Sequence, residues 1–306
     1  MNKEKISKII KLGRFKFLAG GFLLYTIGIL LAILSGVDFS INLYIFGYAI
    51  FLPAHLGMNY SNVYFDIESD KFNIPTSISG GSKILIENPE LIRICKILFV
   101  VLMILSISLA ALFIYIYNYS IWFFLLVLFG NLLGLFYAAP PLRLSYRTLG
   151  EVANVINMGL VMPGFGYWIL KGGLDIFYFI FAIGILFYGL VFIISVEIPD
   201  MEGDKLSNKK TFVVLIGRKL SYYLIIISLI AASFYYLVLS TITPLNQNIN
   251  FLGVFFLSLI PLVVAIIGML NKPFKRNIAL KVATRNVLTL SFFMVLIIFY
   301  FLFLIV

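Results

Sequence analysis

Long apolar runs, bounded by charged segments or by proline and glycine, recur along the whole sequence. A helix that spans a bilayer needs about 20 predominantly apolar residues, and nine runs approach that length. The predicted spans are residues 17–36, 41–65, 94–117, 120–138, 150–170, 174–198, 221–241, 249–270 and 284–306. The pattern predicts an all-α, polytopic membrane protein in which residues 1–306 form a single integral membrane domain.

The composition excludes the main classes of soluble protein. Hydrophobic residues make up 62% of the 306 residues and charged residues only 12%, and the mean hydropathy is +1.08. Disordered and disulfide-stabilised chains need more polar residues or more cysteine than this chain has, and its single cysteine, Cys95, cannot form an internal disulfide. We therefore expect the lipid bilayer to surround most of the chain.

The basic residues fall almost entirely on one side of the predicted helices. With nine spans, the amino terminus and the loops after spans two, four, six and eight share a side, and of the 23 lysines and arginines only Lys171 lies opposite. Cytoplasmic loops of membrane proteins carry such an excess. The formal charge of +10 therefore indicates orientation in the cell membrane and not a nucleic-acid partner. We expect the amino terminus in the cytoplasm and the carboxy terminus outside.

Acidic residues cluster on the same side, and topology does not explain this because acidic residues contribute little to it. Span two ends with Asn62, Asp66 and Asp70, and residues four apart lie on one face of a helix. The same face extends inwards to Asn59 and His55. A polar stripe of this length is costly against lipid, so we expect it to face a central cavity.

A second acidic motif ends span six. Glu197 is followed by Asp200 and Asp204, so that two aspartates are again four residues apart. Asp66 and Asp200 are 134 residues and four spans apart, which places both motifs on one side of the membrane. We expect two pseudo-repeated four-helix halves, followed by a final helix.

The carboxylates and their neighbouring loops predict a Mg²⁺-diphosphate site with a cytoplasmic location. Oxygen ligands without accompanying cysteines or several histidines select hard cations, and Mg²⁺ commonly binds through one or two carboxylates plus the phosphates of a substrate. The motif loops, about residues 66–93 and 200–219, supply Lys83 and Lys209 as counter-charges. The loop after span four adds Arg143, with Tyr137 near the end of that span.

The motifs Asn62-x3-Asp66-x3-Asp70 and Asp200-x3-Asp204 in a nine-helix chain resemble the UbiA superfamily of intramembrane prenyltransferases. The resemblance covers nearly the whole chain and also includes Tyr137 to Arg143, Leu149-Gly150-Glu151 and the stretch from Glu197 to Thr211.

One segment, Ser79-Gly80-Gly81-Ser82-Lys83, looks most like the branch of 1,4-dihydroxy-2-naphthoate polyprenyltransferases. Archaeal digeranylgeranylglyceryl phosphate synthases are similar in architecture. This chain has His55 where many members have an arginine seven residues before the motif asparagine, and Thr76-Ser77 where an Arg-Pro pair is usual. Because of these departures, the resemblance does not identify the acceptor.

The resemblance implies an isoprenyl diphosphate donor, such as geranylgeranyl diphosphate, with its tail in a tunnel between helices, and a lipophilic or aromatic acceptor. Two Mg²⁺ ions bound with the diphosphate would be held by Asp66, Asp70, Asp200, Asp204 and Asn62. Lys83, Arg143 and Lys209 would bind the leaving group, and Tyr137 would stabilise an allylic cation. Asn59 is a further substrate-binding candidate. His55 either orients or deprotonates the acceptor, or hydrogen-bonds to a neighbouring helix.

Two alternatives come from other classes of protein. A secondary transporter would bind coupling ions with carboxylates near the membrane midplane, whereas these carboxylates lie at helix ends. A CDP-alcohol phosphotransferase would carry a longer aspartate motif with glycine and arginine on one segment, and this motif is absent from the sequence.

Overall fold

The computed structural model describes residues 3–78, 81–242 and 249–306. These ranges contain nine helices long and apolar enough to cross a membrane, and every described element is helical. The helices are α1 (Leu18–Leu34), α2 (Ile41–Phe65), α3 (Ile92–Tyr117), α4 (Ile121–Ala138), α5 (Gly150–Lys171), α6 (Ile176–Glu197), α7 (Phe212–Ser240), α8 (Phe251–Leu270) and α9 (Arg276–Ile305). The prediction of an all-α, multi-pass membrane protein is confirmed.

Two helices extend further towards the motif side than the sequence predicted. α7 begins at Phe212 instead of residue 221, and α9 begins at Arg276 instead of residue 284. In α9 basic residues interrupt the apolar run but not the helix, whereas α7 consists of two helical segments that meet at a kink. In α7 the chain turns at Gly217, where φ is +75°, and the buried Arg218 forms a bidentate ion pair with Glu202. Paired or snorkelling basic residues are compatible with a helix end at the membrane interface.

The helices pack in a ring around a central space. α1 packs against α5, α2 against α3 and α4, α6 against α5 and α7, and α8 lies between α7 and α9. α9 also contacts α1, which closes the ring. α1 and α5 approach closely because glycines face the opposing backbone: a Cβ on Gly28 would lie 1.9 Å from the Pro163 carbonyl oxygen. Small residues allow such close contact between helices in a membrane.

A short leader helix, Lys3–Leu12, precedes α1 and is attached to α2. The Tyr60 hydroxyl donates a hydrogen bond to the Ile9 carbonyl at 3.0 Å, and the Asn59 amide donates to the Gly13 carbonyl at 3.0 Å. Leu12, the last residue of the leader helix, is fully buried. These contacts bring the residues that follow the leader helix to the same end of the molecule as the first aspartate motif.

Candidate functional site

A cavity of about 360 Å³ lies inside the ring and brings most of the predicted site residues together. It is lined by α1, α2, α4, α5, α6 and α9 and by the segments that follow α2 and α6. The predicted residues that line it are His55, Asn59, Asn62, Asp66, Asp70, Tyr137, Asp200, Asp204 and Lys209. The polar column on α2 therefore faces this cavity.

The first motif keeps helical spacing beyond the end of α2. The Asp66 N–H donates to the Asn62 carbonyl at 3.0 Å, and the Asp70 N–H donates to the Asp66 carbonyl at 2.8 Å. Residues 67–70 form a separate short helix, but these two bonds bridge the junction. The three side chains thus remain stacked on one face, as their spacing predicts.

The second motif is joined directly to the first. After α6 the chain passes through a 3₁₀ turn, Ile198–Asp200, and a short helix, Met201–Leu206. The Asn73 amide donates a hydrogen bond to Asp204 Oδ1 at 3.3 Å, and the Ser69 and Ser207 hydroxyl groups are 3.2 Å apart. The segments that follow α2 and α6 therefore pack as one unit at the cavity mouth.

Asp66 is the most fully bonded of the motif carboxylates among the contacts described. Its Oδ2 lies 3.0 Å from the Lys209 ammonium, and its Oδ1 accepts a hydrogen bond from the Tyr146 hydroxyl at 2.9 Å. Burial by itself lowers the pKa of Lys209, but the carboxylates of Asp66 and Asp204 outweigh it and hold that pKa above its usual value. Lys209 therefore remains a cation between the two motifs.

Asp70 is 3% exposed and lies against the glycine segment that follows it. A Cβ on Gly81 would lie 1.8 Å from Asp70 Oδ1, so the backbone reaches this carboxyl group only because Gly81 has no side chain. Burial, reinforced by the neighbouring Asp66 carboxylate, raises the pKa of Asp70 to about 7. The remaining oxygen, Oδ2, has no hydrogen-bond partner among the residues described.

The residues of the cavity fit a hard cation. Asp70 Oδ2 and Asn62 Oδ1 are buried oxygens without partners in the described parts of the chain, and buried polar atoms normally have one. Within the described residues, no three His, Cys, Asp or Glu side chains form a complete metal site by themselves. Mg²⁺ needs few protein carboxylates, because it completes its shell with phosphate oxygens and water.

Two predicted phosphate-binding residues do not line the cavity. The Arg143 guanidinium lies over the Tyr146 ring, with its carbon 4.4 Å from the ring centroid. Lys83 precedes the short helix Ile84–Glu87, and its backbone carbonyl accepts hydrogen bonds from the N–H groups in the first turn of that helix. Of the loop that carries the branch resemblance, Ser79 and Gly80 lie outside the described residues.

The structure adds cavity residues that the sequence analysis did not single out. Arg14 and Lys16, which follow the leader helix, line the cavity, and the Lys16 ammonium donates to the Ser77 carbonyl. The sequence predicts no role for either beyond topology, because a basic leader is expected on the cytoplasmic side whatever its other role. Tyr146 was missed as well, since one aromatic residue in a loop gives no periodic signal.

The inner end of the cavity is largely apolar. A smaller pocket of about 40 Å³ shares His55, Met58, Asn157 and Met162 with the main cavity. Its other lining residues are mostly apolar and come from α2, α3, α4 and α5. His55 is 8% exposed, and its Nδ1 atom has no hydrogen-bond partner within the described residues. α5 widens into a π-helical turn at Asn157–Val161 beside this junction, a feature often found at functional sites.

Comparison with known proteins gives a consistent set of matches. The UbiA prenyltransferase family matches residues 22–297. The chain is 30% identical over 115 residues to 1,4-dihydroxy-2-naphthoate octaprenyltransferase of Bacillus subtilis (strain 168), covering 38% of this chain and 35% of that protein. It is 32% identical over 99 residues to UbiA prenyltransferase domain-containing protein 1 of Rattus norvegicus, covering 32% and 29%. These matches therefore cover about a third of the length of each of these two curated relatives.

Solved structures share the fold over nearly the whole chain. A UbiA homologue from Archaeoglobus fulgidus bound to DMAPP and Mg²⁺ superposes with a TM-score of 0.71 at 17% identity, covering 97% of this chain and 99% of that one. A digeranylgeranylglyceryl phosphate synthase gives a TM-score of 0.65 at 20% identity, with the same coverage. At these identities the likeness establishes the fold alone.

Proposed function

This chain belongs to the UbiA prenyltransferase family, and on that premise we propose that it transfers a prenyl group from an isoprenyl diphosphate to a lipophilic or aromatic acceptor in a Mg²⁺-dependent reaction. One observation carries the proposal. Four aspartates from two helix ends, together with Asn62 and Lys209, line a single cavity at one end of the helical ring. This is the arrangement that a metal-bound diphosphate requires.

The metal ligands in this proposal are Asp66, Asp70, Asp200 and Asp204, assisted by Asn62, and they would hold two Mg²⁺ ions. When bound there, Mg²⁺ would offset the negative charge that develops on the diphosphate leaving group. The unpartnered Asp70 Oδ2 and Asn62 Oδ1 are the protein oxygens that support this assignment most directly.

Cationic side chains on both sides of the motifs would bind the diphosphate. Lys209 lies between Asp66 and Asp204 and is the principal candidate. Arg14 and Lys16 line the same cavity from the α1 side, close enough for Arg14 to act electrostatically on Asp70. Lys83 and Arg143 lie outside the cavity lining, so in this proposal they support neighbouring segments and do not contact the leaving group.

The apolar part of the cavity suits the prenyl tail, which is a hydrocarbon that gains free energy by leaving water. Ionisation of the allylic C–O bond leaves a cation that needs a dry and electron-rich surround. Tyr137 lines the cavity and offers a ring face for this purpose. His55 and Asn59 lie further along the α2 face and would contact the acceptor.

We propose an aromatic acceptor of the 1,4-dihydroxy-2-naphthoate type. The support is the 30% identity to the octaprenyltransferase of Bacillus subtilis, whereas the resemblance to the digeranylgeranylglyceryl phosphate synthase is one of fold at 20% identity.

The excess of basic residues on the motif side supports a cytoplasmic active site and an external carboxy terminus. The location of the carboxylates at one end of the helices disfavours the secondary transporter, whose coupling sites lie at the midplane.

The test is an assay of the purified chain in detergent with labelled geranylgeranyl diphosphate and Mg²⁺. The acceptors are 1,4-dihydroxy-2-naphthoate and a glycerol phosphate ether lipid, each analysed by mass spectrometry of the product. The proposal predicts a prenylated naphthol product that forms only with Mg²⁺. Prenylation of the glycerol lipid alone would replace the acceptor assignment, and no prenylated product from either acceptor would contradict the function.

A further inference from the structure

Two arginines from distant helices hold the turn that carries Asp200. After α6 the chain makes a 3₁₀ turn that ends at this residue, and the end of a helix leaves backbone carbonyls that need donors from elsewhere. The Arg218 Nε atom donates to the Ile198 carbonyl at 3.1 Å. The Arg276 Nε atom donates to the Pro199 carbonyl, also at 3.1 Å. The two carbonyls that precede Asp200 therefore each accept a hydrogen bond from a guanidinium group outside the motif.

Arg218 also holds the residue midway between the two aspartates of the second motif. Its terminal nitrogens donate to the two carboxylate oxygens of Glu202. Residues two apart in a helix do not face each other, so Glu202 can be held without obstructing Asp200 or Asp204. A bidentate contact of this kind is geometrically specific as well as strong. Arg218 therefore fixes the orientation of this segment and not only its distance from α7.

Arg276 reaches a second segment at the same time. Its Nη2 atom donates to the Ile74 carbonyl at 3.4 Å. The preceding residue, Asn73, donates through its amide to Asp204 Oδ1 at 3.3 Å. Asn73 comes this close to the second motif because Gly203 has no side chain, and a Cβ there would lie 1.8 Å from Asn73 Oδ1. One guanidinium group thus joins the turn that begins the second motif to the segment that bonds its last aspartate.

The two arginines differ from the cations that would bind the diphosphate. Lys209 lines the cavity, whereas Arg218 and Arg276 are not among the described residues that line it. The hydrogen bonds described for them go to backbone carbonyls and to Glu202. Membrane topology accounts for positive charge on this side, but lysine would serve that purpose equally well. Guanidinium groups that each donate in two directions indicate a role in positioning.

We propose that Arg218 and Arg276 form an arginine clamp that positions Asp200 and Asp204 for Mg²⁺. The inference rests on the proposed function, in which these two aspartates are metal ligands. Groups behind a metal ligand orient it, and their loss typically costs about tenfold to a hundredfold in metal affinity or activity. The clamp acts through the turn before Asp200 and through the segment of Asn73, so both arginines are positioning residues.

The experiment measures the Kd for Mg²⁺ by calorimetric titration of the full chain in detergent, at a saturating concentration of a non-reactive isoprenyl diphosphate analogue. Arg276→Met removes the donors to both carbonyls, so this Kd should rise by about tenfold or more. Arg276→Lys keeps the charge but lacks the planar fork of donors, and it should recover only part of the loss. Full recovery in Arg276→Lys would assign the effect to charge alone and overturn the clamp.

The matched control is Lys275→Met, because Lys275 is the exposed residue before Arg276, and it should bind Mg²⁺ like the wild type. Thermal melting without Mg²⁺ separates positioning from stability. If Arg276→Met melts at a lower temperature but keeps the wild-type Kd for Mg²⁺, its contacts are only structural and the clamp is overturned.

Arg218→Met tests the other half of the clamp by the same titration and decides the matter if Arg276→Met does not fold. It should also raise the Kd for Mg²⁺ by about tenfold or more, and an unchanged Kd would overturn the clamp. A wild type that binds Mg²⁺ with the analogue but releases no diphosphate from an isoprenyl diphosphate would instead contradict the proposed function. Absence of Mg²⁺ binding by the wild type would overturn the clamp itself.

Discussion

The Lys209 ammonium lies 3.0 Å from Asp66 Oδ2, across 143 residues of sequence. This contact joins the segment that follows α6 to the first motif at the end of α2. It holds a cation between the two pairs of aspartates. If Asp66 and Asp204 bind Mg²⁺ as proposed, Lys209 and the metal ions would interact with the same carboxylates, and substrate binding would redistribute charge at this point.

Replacing Lys209 tests this arrangement. Lys209→Met removes a charge-assisted contact, so kcat/KM for the isoprenyl diphosphate should fall by about tenfold to a hundredfold, which corresponds to about 1.5–3 kcal/mol. The measurement is steady-state diphosphate release at saturating Mg²⁺. Lys210→Met is the matched control, because Lys210 is the adjacent lysine and is exposed. Equal losses in the two variants would show that the contact to Asp66 does not matter.

The close approach of Gly81 to Asp70 gives a second prediction. Gly81→Ala places a methyl group 1.8 Å from the present position of Asp70 Oδ1, so the carboxyl group must move. Misplacing a positioned ligand by about 1 Å can cost about a hundredfold in rate, and we expect kcat to fall by at least tenfold on this basis. Gly173→Ala meets no atom within 4 Å and should retain wild-type activity. Wild-type kinetics in Gly81→Ala would show that the position of Asp70 does not matter for the reaction.

The pKa of Asp70, about 7 in the folded chain because of burial and the Asp66 carboxylate, gives a prediction of pH dependence. Asp70 titrates near 4 when unfolded, so the folded state binds the proton more tightly. Ionisation of Asp70 therefore lowers the free energy of unfolding of the metal-free protein progressively as the pH rises from about 4 through 7. Mg²⁺ requires the ionised carboxylate, so its stabilising effect should grow over the upper part of the same range.

The measurement is the thermal shift caused by Mg²⁺ together with a non-reactive diphosphate analogue. The shift should be larger at pH 8 than at pH 6 for the wild type, and Asp70→Asn should show a smaller shift with little pH dependence. A shift of the same size at both pH values in the wild type would contradict a role for Asp70 as a ligand that deprotonates near neutrality.

The sequence predicted the parts of the molecule that follow from local patterns. The bounds of α2 were predicted at both ends, residues 41 and 65, because the apolar run and the helix coincide there. The column of Asn62, Asp66 and Asp70 was predicted from spacing alone. α7 and α9 were predicted too short, since the apolar run stops at basic residues while helical structure extends towards the interface, with a kink at Gly217 in α7.

The residues that sequence reasoning missed depend on contacts between distant segments, and so does the position of Arg143. Arg14 reaches the cavity because Tyr60 and Asn59 attach the leader segment to α2, and no local signal encodes that attachment. Arg143, predicted to bind the leaving group, stacks on the Tyr146 ring, and the Tyr146 hydroxyl donates a hydrogen bond to Asp66. Loop conformation decides such cases, and spacing along a helix does not.

The most direct test of the account is Mg²⁺-dependent release of diphosphate from labelled geranylgeranyl diphosphate by Asp66→Asn and Asp200→Asn, one variant from each motif. Asp38→Asn is the control, because Asp38 is exposed in the turn between α1 and α2, at the end of the ring opposite the motifs. If the two motifs hold the metal-bound diphosphate together, each motif variant folds like the wild type and loses at least about a hundredfold in kcat/KM, while Asp38→Asn keeps full activity. Near-normal release by either motif variant would contradict the central claim.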